Sequence, residues 1–495
     1  MRLVPAALTA WAVTAAGICW DIGAVLTGVC LAVGAGAGAL WCALPRERET
    51  ARVAGAVVAA AAVVGMGFSV AVNLRSTSVR QHPVVERFGS AATVTVVPSE
   101  SPLTIGGGRL LIKADLRLVD NVQTRGRVVV FAPVSHYHGI GVGQPLRFRA
   151  RISKPTRRDL TVAALNASGA PTLGEASLLQ RAAGTARGRL AERAREVLPA
   201  DQAAMLPALV LGDTSAVPPT ATQQFRVAGL THLTAVSGAN VTIVCGAVLL
   251  VAGFFGPRIA VVLAGLALIA FVVVVQPTAS VLRAAVMGAI ALLALLTARR
   301  RQAIPALAGA VLVLLIVAPQ LAVDIGFALS VAATAALIVL APRWSLRLVG
   351  RGWPKPLADA LCMAVAAQLV TAPLVAGISG TLSLVAVLAN LLVTVVIAPI
   401  TLFGTAAAAL SPLWPAAARL LIRFTGPELW WLLQVARWTA AVPHAAVPVP
   451  AGAVGVLTLA AAAVAGVLCS GHRRGRIALG CLAMVAAAWA IAGLG

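Results

Sequence analysis

Between Gly229 and Thr242 the sequence reads Gly-Leu-Thr-His-Leu-Thr-Ala-Val-Ser-Gly-Ala-Asn-Val-Thr, which sets His232, Thr234, Ser237 and Asn240 at the head of a long apolar run. Polar side chains in hydrocarbon are costly, so each needs a partner or a task. Gly238, between Ser237 and Asn240, permits irregular backbone, and at membrane depth such backbone must line a cavity or be buried in protein. Neutral donors lining such a cavity suit passage of a charged solute, because they attract it without holding it fast. The competing reading is a packing motif of small and hydroxyl residues.

Other polar groups sit on or beside apolar runs: Gln276, Arg283, Asp324, Gln368 and Asn390. Asp324 with Arg283 would make an internal ion pair with a structural role. A second candidate surface lies earlier. Arg147, Arg149 and Arg151 alternate along one strand and project together, because strand side chains repeat every two residues. Phe131 and Tyr137 are candidate groups for stacking on bases, whereas Phe148 faces opposite the arginines and belongs to a core. Such a surface suits a polyanion, whose phosphates arginines attract with little sequence preference.

Several chemistries find no support. The chain has no Gly-x-x-x-x-Gly-Lys-Ser/Thr loop, so it does not look like an ATPase. His136-Tyr-His138 mimics part of a metal-binding run, but no Asp-His follows and no Cys is near. The seven cysteines fall in or beside apolar runs and read as small hydrophobes. No enzyme, cofactor or metal site is expected.

The elements that hold these residues follow from composition. Of 495 residues, 60% are apolar and only 11% charged, too few to coat a soluble protein of this size. About 20 apolar helical residues cross a bilayer core of roughly 30 Å, and many such runs occur. Three form the N-terminal part, 1–74: roughly Leu3–Trp20, read as a retained helix rather than a signal peptide, then Ile22–Leu44 and Val53–Leu74. The loop from Pro45 to Arg52 carries three arginines and the turn at Trp20-Asp21 none, which places that loop in the cytoplasm. Residues 75–200 then emerge outside. Nineteen Lys or Arg there face eight Asp or Glu, a net +11 out of +23 for the chain.

Within residues 75–170, four segments alternate as strands: Ala92–Val97, Gly108–Val119, Gly126–Ala132 and Pro145–Ile152. Leu160–Leu165 is a weaker fifth, and turns are expected at Gly106–Gly108, Thr124–Gly126 and Gly139–Gly143. Five short strands suit a small OB-like β-barrel. Residues 171–203 hold a basic amphipathic helix, Leu178–Leu198, suited to the membrane surface. Residues 204–495 read as a membrane domain of about ten crossings, with Arg299–Arg301, Arg343–Lys355 and Arg473–Arg476 in the cytoplasm. Leu382–Leu413 is too long for one helix, is interrupted at Pro399, and is expected to hold a re-entrant segment.

Leu211-Gly-Asp-Thr-Ser215, followed by Phe225-Arg-Val-Ala-Gly-Leu-Thr-His-Leu-Thr-Ala-Val-Ser-Gly-Ala-Asn-Val241, resembles the signature of the ComEC competence family. Downstream, Pro277–Met287 resembles that family's "PSVLRA" helix and Asp324–Ser330 its "D-x-x-F-x-L-S" helix. Ala367–Pro373 with Leu388–Leu392 resembles its late helices. The resemblance implies a bacterial cytoplasmic-membrane channel that moves one DNA strand inward during natural transformation. Asn240 stands where relatives usually have histidine. The metallo-β-lactamase-like domain of many relatives has no counterpart before Gly495, so this polypeptide reads as a short form without nuclease activity.

The resemblance implies single-stranded DNA and membrane lipid as partners, with a DNA receptor, a cytoplasmic motor ATPase and a nuclease as separate proteins. Self-association into a homo-oligomer stays open. A transporter of another solute or a lipid-linked precursor is the alternative, and a non-transporting membrane scaffold is a third. The net +11 favours a polyanion over a neutral solute, although arginine patches also bind anionic lipids and polysaccharides.

Overall fold

The computed structural model describes residues 3–461 apart from 44, 46, 47, 101, 106, 138, 277, 297–302, 451 and 453. Arg46, His138, Pro277, Arg299–Arg301, Cys469, Arg473–Arg476 and Cys481 lie outside the described residues. Helices α1 (Leu3–Trp20), α2 (Gly23–Ala43) and α3 (Glu49–Arg80) come first. Strands β1 (Ala91–Pro98), β2 (Leu103–Ile105), β3 (Arg109–Val119) and β4 (Val122–Pro133) follow, then the short α4 (Val134–Tyr137), β5 (Leu146–Ser153) and β6 (Ala163–Leu173). Next are α5 (Leu178–Val197), α6 (Ala200–Leu211), α7 (Pro219–Val227), α8 (Gly238–Ala252), α9 (Pro257–Val275), α10 (Ala279–Leu296) and α11 (Ala303–Val317). The chain continues through α12 (Ile325–Val339), α13 (Ala341–Val349), α14 (Lys355–Ser379), β7 (Thr381–Ser383), α15 (Ala386–Leu410), α16 (Pro415–Phe424), α17 (Gly426–Ala440) and β8 (Ala446–Pro448). Two compact units result: Met1–Thr185 with Ala252–Ala328, and Ala186–Val251 with Leu329–Gly495.

Eight helical stretches are long and apolar enough to cross a membrane: α1, α2, α3, α8, α9, the run of α12 and α13, α14 and α15. The chain is therefore a polytopic helical membrane protein. Fewer later crossings of full length appear among the described residues than the ten expected, because α6, α10 and α11 are apolar but shorter. Leu382–Leu413 also differs from expectation: α15 runs unbroken through Pro399, and no re-entrant segment interrupts it. Membrane helices tolerate an internal proline when neighbours satisfy the freed carbonyl.

In the first unit, α3 buries Ala61, Ala62, Gly65, Ser69 and Val72 at helical spacing. Ser69 and Thr27 share a hydrogen bond of 2.7 Å that joins α3 to α2. Trp11 on α1 donates to the carbonyl of Ala322 at 2.8 Å and packs against Phe327. The expected barrel is present in the same unit. β1, β3, β4, β6 and β5 close on one another, with β4 and β6 parallel and the other neighbouring pairs antiparallel. Val94, Val96, Ile112, Leu116, Val130, Leu146, Phe148, Ile152 and Leu165 fill its core.

Two strand boundaries depart from the sequence reading. The β3–β4 turn is Asp120-Asn121, with φ of 46° and 68°, rather than Thr124–Gly126. Two positive-φ residues make the tight loop whose twist matches paired strands. The fifth strand is not confined to Leu160–Leu165 but runs Ala163–Leu173, pairing with β5 as far as Leu173.

Candidate functional site

The geometry around the Gly229–Thr242 segment lies within the second unit. After α7 the chain turns at Gly229, with φ +71°. A Cβ there would stand 2.4 Å from the Cβ of Ala386, so only glycine lets this turn press against the head of α15. Ser383 donates to the carbonyl of Val227 at 2.6 Å and fixes the same junction.

Asn240, in the first turn of α8, is 5% exposed. Its amide nitrogen donates to the carbonyl of Leu209 at 3.1 Å, and its oxygen accepts from the Ser237 hydroxyl at 3.2 Å. The last carbonyls of a helix lack partners within it. At the end of α6, Gly212 adopts the left-handed conformation and donates to Ala208, while the Asp213 N–H reaches Pro207. Asn240 supplies the partner for Leu209. Nearby, α6 crosses α15 so closely that a Cβ on Gly404 would lie 2.3 Å from Val210. A cavity of about 10 Å³ remains, lined by Leu209, Leu233, Ser237, Asn240, Ile397, Ile400 and Thr401. That is room for about one water molecule. The segment is thus a polar latch joining α6 to α8, packed against α15.

The Leu211-Gly-Asp-Thr-Ser215 turn is held beside this latch. Asp213 accepts from the hydroxyl and N–H of Ser215, and Arg187 on α5 lies 3.8 Å from its other oxygen. Arg187 was legible only as one arginine of a basic helix. Several of that helix's arginines are engaged by protein: Arg189 pairs with Glu192 and Arg193 with Glu196.

The remaining motif residues take separate places. His232 sits exposed on a single 3₁₀ turn, Thr231–Leu233. Asn390 donates to Ala386 within its own helix, and Gln368 is half-buried on α14. Arg283 and Asp324 belong to the first unit. Asp324 accepts the N–H of Phe327 at 2.7 Å and so caps α12. Arg283 is 5% exposed, with one guanidinium nitrogen 3.8 Å from the Met287 sulfur. Of the eight motif residues, the latch gathers Ser237, Gly238 and Asn240.

The barrel presents the second candidate surface. Arg147, Arg149 and Arg151 are exposed on β5, while Leu146, Phe148, Ala150 and Ile152 are buried between them. Their cross-strand neighbours are Ala91, Thr93 and Thr95 on β1 and Asn166, Ser168 and Thr172 on β6, none of them acidic. Arg147 also donates to Asn121 at 3.2 Å. Asn166 links this row to Phe131, its partner across β4–β6, and accepts from Arg109, which lies over the Phe131 ring at 5.5 Å. Phe131 is therefore an outward aromatic beside the basic row.

Tyr137 does not join that surface. It is fully buried, packs edge-on against Phe148 at 5.6 Å, and belongs to the barrel core. Burial pushes its hydroxyl up to about 12. The short helix α4 turns it inward, and that turn could not be read from strand alternation. Among the described residues, no three His, Cys, Asp or Glu side chains gather as a metal site needs.

The family model described as "Competence: Competence protein" matches residues 209–474, more than half of the chain. No curated protein and no solved structure matches it.

Proposed function

The chain belongs to the Competence protein family, and from that premise we propose that it conducts single-stranded DNA across the bacterial cytoplasmic membrane in natural transformation. The observation that carries this beyond the family is the exposed row Arg147, Arg149 and Arg151, flanked by neutral side chains. Cations whose cross-strand neighbours are neutral attract phosphates of any sequence. Phe131 offers a face on which a base can stack. In this reading residues 75–200 stand outside the membrane, the barrel receives the strand, and the helices of the family region conduct it.

The latch bears on how the path opens. Its cavity of about 10 Å³ admits no nucleotide. Passage beside it would require α8 to part from α6, and the Asn240–Leu209 hydrogen bond opposes that movement. Ser237, Asn240 and His232 would then become neutral donors at the mouth. We read receptor, motor and nuclease as supplied by other proteins.

The deciding experiment is uptake of labelled DNA by a deletion strain complemented with this chain. Restored uptake, lost again when the three arginines become glutamine, supports the reading. A second reading, transport of a lipid-linked precursor, draws on an apolar cavity of about 420 Å³ among α1, α2 and α3, lined by Thr9, Cys30, Val33, Val58 and Ala62 among others. Failure to restore DNA uptake, together with precursor accumulation in the deletion strain, would favour it.

A further inference from the structure

The hairpin of α13 and α14 carries a cationic tip to which the function above gives no task. The stretch of α12 and α13 and the helix α14 are each long and apolar enough to cross a membrane. The turn between them, residues 350–354, must then lie at a membrane surface, whichever side that is.

One face of α13 is committed to packing. Ala341, Trp344 and Leu348 join Ala336, Leu340, Cys362, Ala366 and Val370 in one apolar cluster. Ser345, on the same face, donates to the carboxylate of Asp359 on α14. The opposite face and the turn are exposed, and four cations recur there at four-residue intervals: Arg343, Arg347, Arg351 and Lys355. Among the described residues none of the four makes an ion pair. The acid of this hairpin, Asp359, is taken by Ser345.

Exposed apolar side chains alternate with these cations. Leu346 is 72% exposed, and Trp353 and Leu357 are exposed as well. A water-soluble polyanion would satisfy the cations and leave Leu346, Trp353 and Leu357 in water. A lipid surface satisfies both sets. Arginine and lysine stems lie along apolar surface while their heads reach the phosphates. Tryptophan favours the headgroup level.

We propose that this tip is a binding site for anionic phospholipid headgroups, with Arg343, Arg347, Arg351 and Lys355 on the phosphates and Leu346, Trp353 and Leu357 among the acyl chains. The proposal rests on the membrane-spanning fold and not on the identity of the cargo.

The test uses the full chain in nanodiscs of phosphatidylcholine mixed with phosphatidylglycerol. Native mass spectrometry of the released protein reads which lipid stays bound. The wild type should retain phosphatidylglycerol in preference to phosphatidylcholine. The variant R343Q/R347Q/R351Q/K355Q should lose at least half of that excess while keeping its helical content. Should the quadruple variant not fold, R351Q/K355Q, at the turn and clear of the packed face, carries the same test. Equal retention of phosphatidylglycerol by a folded variant and the wild type overturns the proposal. Binding of a labelled oligo-dT, measured in phosphatidylcholine alone, supplies the other arm. Loss of DNA binding with lipid retention unchanged would assign the tip to nucleic acid and likewise overturn the proposal.

Discussion

The amide of Asn240 donates to the carbonyl of Leu209 across 3.1 Å, tying the first turn of α8 to the last turn of α6. Replacing Asn240 by Ala leaves a buried carbonyl without a donor, which costs about 1–3 kcal/mol. The expected result is a lower unfolding midpoint in detergent and reduced DNA uptake. Asn240→His offers a ring N–H in place of the amide and should retain more of both. An Asn240→Ala protein as stable and as active as the wild type would remove the latch from the mechanism.

Tyr137 supplies a test of the barrel core. Its hydroxyl is buried and has no hydrogen-bond partner among the described residues. An unpaired buried hydroxyl is a liability rather than an asset. Tyr137→Phe keeps the ring against Phe148 and removes that liability. Stability should hold or rise by up to about 1 kcal/mol, and DNA binding by the full chain should not change. Weakened DNA binding would return Tyr137 to the surface role that its burial denies it.

The β3–β4 turn should make the barrel sensitive to acid. The N–H of Thr93 bonds one oxygen of Asp120 and the Arg87 guanidinium pairs with the other, and these two contacts hold its carboxyl below the usual carboxylate range. A carboxylate depressed in the folded state contributes stability that is present above its unfolded pKa and lost as pH falls through the folded one. With an unfolded value of about 3.9, the loss should begin near pH 4 and deepen below it. Amide hydrogen exchange at Thr93 and at the β3–β4 hairpin, followed from pH 6 downward, checks this. Asp120→Asn should flatten the dependence, and an unchanged slope would detach it from this residue.

Local patterns carried most of the architecture. Hydropathy runs announce α1, α2 and α3, and the strict alternation of Leu146 to Ile152 places three arginines outside and four apolar residues inside. What stayed hidden depends on chain segments meeting. Leu209 is 31 residues from Asn240, and nothing in either stretch names the other. Arg187 and Asp213 stand in a helix and a turn that read separately as basic surface and family motif. Tyr137 follows a strand and reads as exposed until α4 turns it inward. Asp120-Asn121 was a turn signal in the open, overshadowed by the glycine of Thr124-Arg-Gly126, which instead lies inside β4. There Gly126 leaves room for Val162, whose side chain would stand 2.8 Å from an added Cβ.

The arginine row gives the sharpest test of the cargo. Each phosphate neutralised on a single strand contributes about −0.7 to the slope of log affinity against log salt. If Arg147, Arg149 and Arg151 each engage one phosphate, R147Q/R149Q/R151Q should flatten that slope by about 2. The measurement is fluorescence anisotropy of labelled oligo-dT with the full chain in phosphatidylcholine nanodiscs across a salt series. The three side chains are exposed and their backbone lies in a paired strand, so the barrel should keep its fold. Phe131→Ala should weaken binding by about 1–3 kcal/mol if its ring stacks on a base, with the salt slope unchanged. That split separates stacking from charge. A triple variant with wild-type affinity and slope would show that the strand does not cross this face, and the case for DNA would then rest on the family alone.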